Sequence, residues 1–97
     1  MTARPPTGHF NILYFASASS YTTKNVESLS APLPLSRLFA TLEERYKGIR
    51  ENVLENSLVT VNLTYVDMPG SGEEETETDI VIQEGDEVAI IPPVSSG

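Results

Sequence analysis

The stretch GDEVAIIPPVSSG, residues 85–97, governs how the rest of the chain reads. Gly85 and Asp86 supply turn chemistry, and Glu87 to Ile91 are rich in β-branched residues, which predicts a final strand. Pro92 and Pro93 each fix φ and lack an N–H, so a hydrogen-bond ladder stops there and the backbone leaves extended, near polyproline II. Beyond Val94 stand Ser95, Ser96 and Gly97, which add little bulk. A tail of this shape fits a narrow site on another protein, and its stiff prolines reduce the entropy lost on entering. Most domain ends are instead polar and frayed.

Upstream, FNILYF at 10–15 places Phe10, Ile12 and Tyr14 on one face of a strand and Leu13 and Phe15 on the other. A polar loop over Ser17 to Ser20 is expected next, then a weaker partner strand over Thr23 to Leu29, completing a hairpin. Pro32 and Pro34 close that region. Leu35, Leu38, Phe39, Leu42 and Tyr46 then fall at helical spacing and form the apolar stripe of one amphipathic helix ending near Gly48. A short helical turn over Ile49 to Leu54 follows. Residues Ser57 to Val66 read as two short strands pivoting at Asn62, a natural turn residue, with Leu58 and Thr60 facing away from Val59, Val61 and Leu63. Residues 67–79 have no periodic apolar face and carry five acids between Glu73 and Asp79, which predicts a solvated, flexible loop. Order resumes at Ile80 to Ile82, and a turn around Gly85 leads into the last strand.

Composition limits the function classes. A chain of 97 residues makes one domain, able to bury roughly 60–65% of the surface its unfolded form exposes. With 39% apolar and 21% charged residues it falls in the globular range. A formal charge of −8, from 14 acids against 6 bases, argues against nucleic acid or an anionic membrane as partner. No cysteine is present, which excludes disulfides, thiolate metal sites and thiol nucleophiles. His9 is the sole histidine and has no ligand cluster beside it, so neither a metal site nor a Ser-His-Asp triad is expected. The acids of 73–79 lack the spaced ligands and glycine of a calcium loop. No apolar run reaches signal-peptide or membrane-span length, and a cytoplasmic protein is expected.

Two strands, one helix and two or three further strands in so short a chain predict an α+β domain. The expected form is a mixed sheet with one main helix across it, the β-grasp arrangement of ubiquitin-like domains. In that arrangement the last strand lies mid-sheet and the chain beyond it projects. The expected organisation is a domain over 1–91 and an extended tail over 92–97.

With those residues in view, GDEVAIIPPVSSG resembles the C-terminus of the molybdopterin synthase small-subunit family, sulfur carriers that end in a Gly-Asp-Glu-Val turn and strand, two prolines and Gly-Gly. ILYFA at 12–16 is similar to the family's first strand, and VNLTYV at 61–66 to its central hairpin. Ser96 stands where the family has glycine. The resemblance implies that an E1-like adenylyltransferase uses ATP to adenylate the Gly97 carboxylate, and that sulfur delivery then leaves a thiocarboxylate. It implies no permanently bound cofactor. Pro92, Pro93, Val94, Ser95 and Ser96 would carry Gly97 into the active site of the large synthase subunit, where sulfur passes to cyclic pyranopterin monophosphate. Two sulfurs are needed for each dithiolene, so two small subunits serve each product, and the resemblance implies a heterotetramer of two small and two large subunits. Phe15, Tyr65 and Ile91 match the family's apolar contact surface for the large subunit. The terminal glycine has a physical rationale, since without a Cβ the acyl carbon is open on both sides.

Two other readings stand beside this one. One keeps the sulfur carrier but gives it to tRNA thiolation or thiamine synthesis; the other is a β-grasp interaction module with no covalent role. None makes the isolated chain an enzyme, because no nucleophile and base are paired in the sequence.

Overall fold

The computed structural model describes residues 4–66 and 80–93. The expected acidic loop at 67–79, and Val94, Ser95, Ser96 and Gly97 of the tail, lie outside the described residues.

Strand β1 (His9–Tyr14) buries Phe10, Ile12 and Tyr14 on one face, as its alternation requires. Among the described residues, five strands form the main sheet: β2 (Val26–Ser30), β1, β7 (Glu87–Ile91), β4 (Leu58–Val61) and β5 (Thr64–Val66), in that spatial order. The β1–β7 pair is parallel and the other pairs antiparallel, so the sheet is mixed and β7 occupies its centre. Leu33–Pro34 (β3) and Val81–Ile82 (β6) form a separate two-stranded antiparallel pair, which the expectation of a single sheet did not include. Pro34 lacks a ladder donor, and so short a strand at an edge tolerates it.

Residues Leu35–Arg37 make a 3₁₀ turn that runs into helix α2 (Leu38–Arg45). Leu35, Leu38 and Leu42 of the predicted stripe are fully covered, while Phe39 and Tyr46 pack against the core's margin. Helix α3 (Ile49–Asn52) and a 3₁₀ turn at Leu54–Asn56 follow. The Glu43 carboxylate joins α2 to α3 by accepting the N–H groups of Gly48 at 2.8 Å and Arg50 at 3.0 Å. Those backbone bonds hold its carboxyl below the ordinary carboxylate range.

The expected loop over Ser17 to Ser20 is instead a helix, α1 (Ser17–Thr22). Ala18 and Thr22, four apart, share its buried face, and the Thr22 hydroxyl is satisfied by donating to the Ala18 carbonyl at 3.0 Å. Three serines masked this signal, because one alanine and one threonine make a faint apolar stripe. The core therefore lies on one side of the sheet, where Phe10, Ile12, Val59, Val88 and Ile90 meet Ala18, Leu38, Leu42, Ile49 and Leu54.

At the edge of this core, β2 presents Glu27, whose side chain is only 7% exposed. Its carboxylate accepts the hydroxyls of Tyr14 at 2.8 Å and Tyr46 at 2.7 Å, and pairs with Arg45 at 2.9 Å and Lys24 at 3.4 Å. Burial pushes this carboxyl upward. The bonds from Tyr46 and Tyr14, with the charges of Lys24 and Arg45, reverse that and leave it below its usual value. Burial, followed by the bond to Glu27, raises both tyrosine hydroxyls. The cluster ties β1 and β2 to α2.

Candidate functional site

Among the described residues the helices bury their apolar side chains in the core, and alternation turns the odd-numbered residues of β1 and β7 to the sheet's other face. The register sets Val26, Leu13, Ala89, Thr60 and Tyr65 in one row across all five strands. Ala89 at the centre of this row is small and 7% exposed, so larger side chains rise around a depression. Phe15, Leu63, Tyr65 and Ile91 help to line the resulting groove, of about 230 Å³, together with Leu13, Thr60, Glu87 and Ala89. Glu87 is the one charged side chain among these lining residues.

The three residues predicted for an interface are thus brought together on one face. Phe15 is 47% and Tyr65 67% exposed, while Ile91 is half-buried. Phe15 follows β1 directly, and its N–H donates to the Ile90 carbonyl at 3.2 Å, which fixes it beside the end of β7. Pro92, expected in the projecting tail, is buried; Pro93 is the first exposed residue beyond β7. Gly97 and Val94 to Ser96 lie outside the described residues, so the groove and the direction of β7 define the site's described part.

Sequence reasoning missed Leu63, which was placed on the face of Val59 and Val61. The residues between the paired Val61 and Thr64 form a two-residue turn with positive φ at both positions, 52° at Asn62 and 72° at Leu63. That is the I′ pattern of tight hairpins. It throws Leu63 out at the hairpin tip, 85% exposed, at the rim of the groove. Asn62 was a legible turn signal, but the usual partner after it is glycine, and leucine hid the turn type. A leucine in this region is disfavoured by roughly 1–2 kcal/mol. The tip is nevertheless held firmly. The Asn62 N–H donates to the Glu87 carbonyl at 2.7 Å, its side-chain oxygen accepts the Glu87 N–H at 3.0 Å, and its amide donates to Asp86 at 3.1 Å.

His9 interacts with the Thr7 carbonyl at 3.0 Å, and among the described residues no three His, Asp or Glu side chains gather as metal ligands. No helix among those residues is long and apolar enough to cross a membrane.

A mixed sheet with helices across one face, an open apolar groove on the other and a chain leaving from the central strand defines a ubiquitin-like β-grasp protein. The chain belongs to the ThiS family, whose model matches residues 12–97. It is 58% identical over 88 residues to the molybdopterin synthase sulfur carrier subunit of Emericella nidulans, covering 91% of this chain and 97% of the relative. With the human protein of the same description it shares 31% identity over 94 residues, covering 95% of this chain and 98% of the relative. Among solved structures, the fold matches a chain of the protein-protein complex of subunits 1 and 2 of the molybdopterin-converting factor from Helicobacter pylori, with a TM-score of 0.59, 20% identity and coverage of 92% and 99%. It also matches small archaeal modifier protein 1 of Haloferax volcanii, with a TM-score of 0.66, 17% identity and coverage of 90% and 99%.

Proposed function

We propose that the chain is the sulfur carrier of a molybdopterin synthase in molybdenum cofactor biosynthesis, with Gly97 as the covalent site. The observation that carries this reading is the joining of Phe15, Tyr65 and Ile91 in one exposed apolar groove beside the central strand that leads to the tail. Relatives that share more than half of their residues with this chain are described as sulfur carrier subunits of that enzyme.

An oxygen of the Gly97 carboxylate attacks the α-phosphorus of ATP on an E1-like adenylyltransferase, and pyrophosphate leaves. A hydrosulfide equivalent from a sulfur donor then displaces AMP at the acyl carbon and leaves a thiocarboxylate. Adenylation is needed because a free carboxylate is a poor electrophile. The tail next enters the active site of the large subunit, where sulfur passes to cyclic pyranopterin monophosphate, and a tetramer of two carriers and two large subunits supplies both sulfurs. ATP belongs to the activating enzyme, and the carrier holds no resident cofactor. The groove docks on the large subunit and fixes the origin of the tail, so the length from Pro93 to Gly97 sets the reach of the reactive atom.

Incubation with the activating enzyme, ATP and a sulfur donor is expected to exchange one oxygen for sulfur on the last peptide alone, read by mass spectrometry. Deleting Gly97, or adding one residue after it, abolishes sulfur transfer without lowering Tm. Normal sulfuration by the extended chain would refute the carrier reading.

A further inference from the structure

The hairpin tip carries more information than the groove alone requires. Asn-Gly is the least strained pair for a two-residue turn with positive φ at both positions, yet this chain places Leu63 at φ 72°. A leucine there forfeits stability, and at 85% exposure it recovers little by packing within the domain. Strained backbone persists where its surroundings over-determine it, and an observed outlier of this kind points toward function. Three hydrogen bonds, two donated by Asn62 to Asp86 and Glu87 and one accepted by it from the Glu87 N–H, lock the tip to the start of β7, the strand that leads to the tail. The side chain so fixed rims the groove lined by Phe15, Tyr65 and Ile91.

We propose that Leu63 is a pre-organised specificity anchor for the large synthase subunit, projecting from the groove's rim into an apolar pocket on that partner. The proposal rests on the carrier reading above and deepens it. A rigid tip loses little freedom on docking, and an apolar side chain that enters a pocket at the edge of a flat contact fixes the rotation of one partner on the other. Rotation matters because the tail starts from β7: an error there is magnified along the residues that carry Gly97. A polar surface or a nucleic acid would gain nothing from a leucine, which selects an apolar protein cleft as its occupant.

The test uses the full chain carrying Leu63→Gly, Leu63→Asn or Leu63→Met, with the large subunit from the same genome as the calorimetric titrant. Glycine and asparagine both accept positive φ, so each variant folds and its Tm rises by about 5 °C. Affinity for the large subunit falls about 10-fold or more with either, while Leu63→Met keeps affinity within about threefold. Loading of Gly97 by the activating enzyme stays unchanged in all three. A fall in Tm for Leu63→Gly, or affinity within twofold of the unaltered chain, overturns the proposal and leaves the carrier reading standing. Impaired loading with intact affinity also overturns it, by assigning Leu63 to the activating enzyme. Failure of the unaltered chain to bind the large subunit overturns the carrier reading itself, and the anchor with it.

Discussion

Glu27→Ala is expected to be among the most damaging single substitutions away from the central core. The carboxylate accepts from Tyr14, Tyr46, Arg45 and Lys24. Truncation affects these donors unequally. Tyr14 is 3% exposed, so its hydroxyl has little water to turn to. A buried donor left unsatisfied costs about 1–3 kcal/mol. Arg45 and Lys24 are each 48% exposed and re-solvate readily, so each loses well under ~1 kcal/mol. Tyr46, partly exposed, falls between. The sum is about 2–4 kcal/mol, a large share of the roughly 5–15 kcal/mol that stabilises a domain of this size. Thermal unfolding should therefore show Tm lowered by about 10–25 °C. Tyr14→Phe removes the stranded donor, so the double variant should be less destabilised than the sum of the singles, with a coupling of about 1 kcal/mol or more. A loss under ~0.5 kcal/mol for Glu27→Ala, with strict additivity, would refute this account.

The same cluster fixes a pH dependence. The folded Glu27 carboxyl lies below its unfolded value of about 4.5. Its contribution is therefore complete above pH ~4.5 and is lost as pH falls through the lower folded value. The Tm gap between the unaltered chain and Glu27→Gln should narrow below pH 4.5, and a gap that widens on acidification would contradict the sign.

Tyr65→Ala should weaken large-subunit binding by at least ~2 kcal/mol, whereas neutralising Glu73, Glu74 and Glu75 should change calorimetric affinity little beyond its salt dependence. Gly48 has φ +86°, and a Cβ there would lie 2.7 Å from the Tyr21 hydroxyl oxygen and 3.2 Å from the Asn52 amide nitrogen. Gly48→Ala should therefore cost about 2 kcal/mol in urea unfolding while leaving large-subunit affinity intact.

What the sequence revealed follows from how strongly each physical signal is written. Alternation in 10–15 and the 35–46 stripe are carried by large apolar residues, and both placed their faces correctly because burial of such residues dominates local preference. The final strand was legible in the turn at Gly85, the β-rich run and the stop at Pro92, whereas its central position followed only from the expected β-grasp arrangement. Helix α1 escaped because its buried face is Ala18 and Thr22, too small to stand out among serines. Phe15, Tyr65 and Ile91 were singled out through resemblance, since alternation alone cannot separate a docking face from a solvent face. Leu63 was misplaced because strand alternation was carried through a turn whose backbone reverses it. The Glu27 cluster was illegible: its partners come from four separate positions, 14, 24, 45 and 46, and nothing at 27 distinguishes a buried carboxylate from a solvated one.

These features divide the work between the two faces of one sheet. The proposed docking through an exposed apolar groove would leave that face little able to stabilise the free domain, so stability must come from the other side. There the core between sheet and helices is reinforced by Glu27, which ties the edge strand β2 to β1 and α2. Strand β7 belongs to both faces: Val88 and Ile90 point into the core, while Ala89 and Ile91 line the groove. It is paired on both sides, by β1 and β4, so the chain leaving it starts from one of the best-supported positions in the fold. The proposed role of the tail, placing one carbon in another protein's active site, calls for such an origin, because a shift of about 1 Å at a reacting group lowers rate steeply. Substitutions that loosen the core under β7, such as Val88→Ala, should therefore reduce sulfur transfer by more than the loss of folded protein explains. Single-turnover transfer from pre-loaded carrier, normalised to the folded fraction, measures this directly. Rates equal to the unaltered chain after that normalisation would show that the tail finds its place without the strand's support.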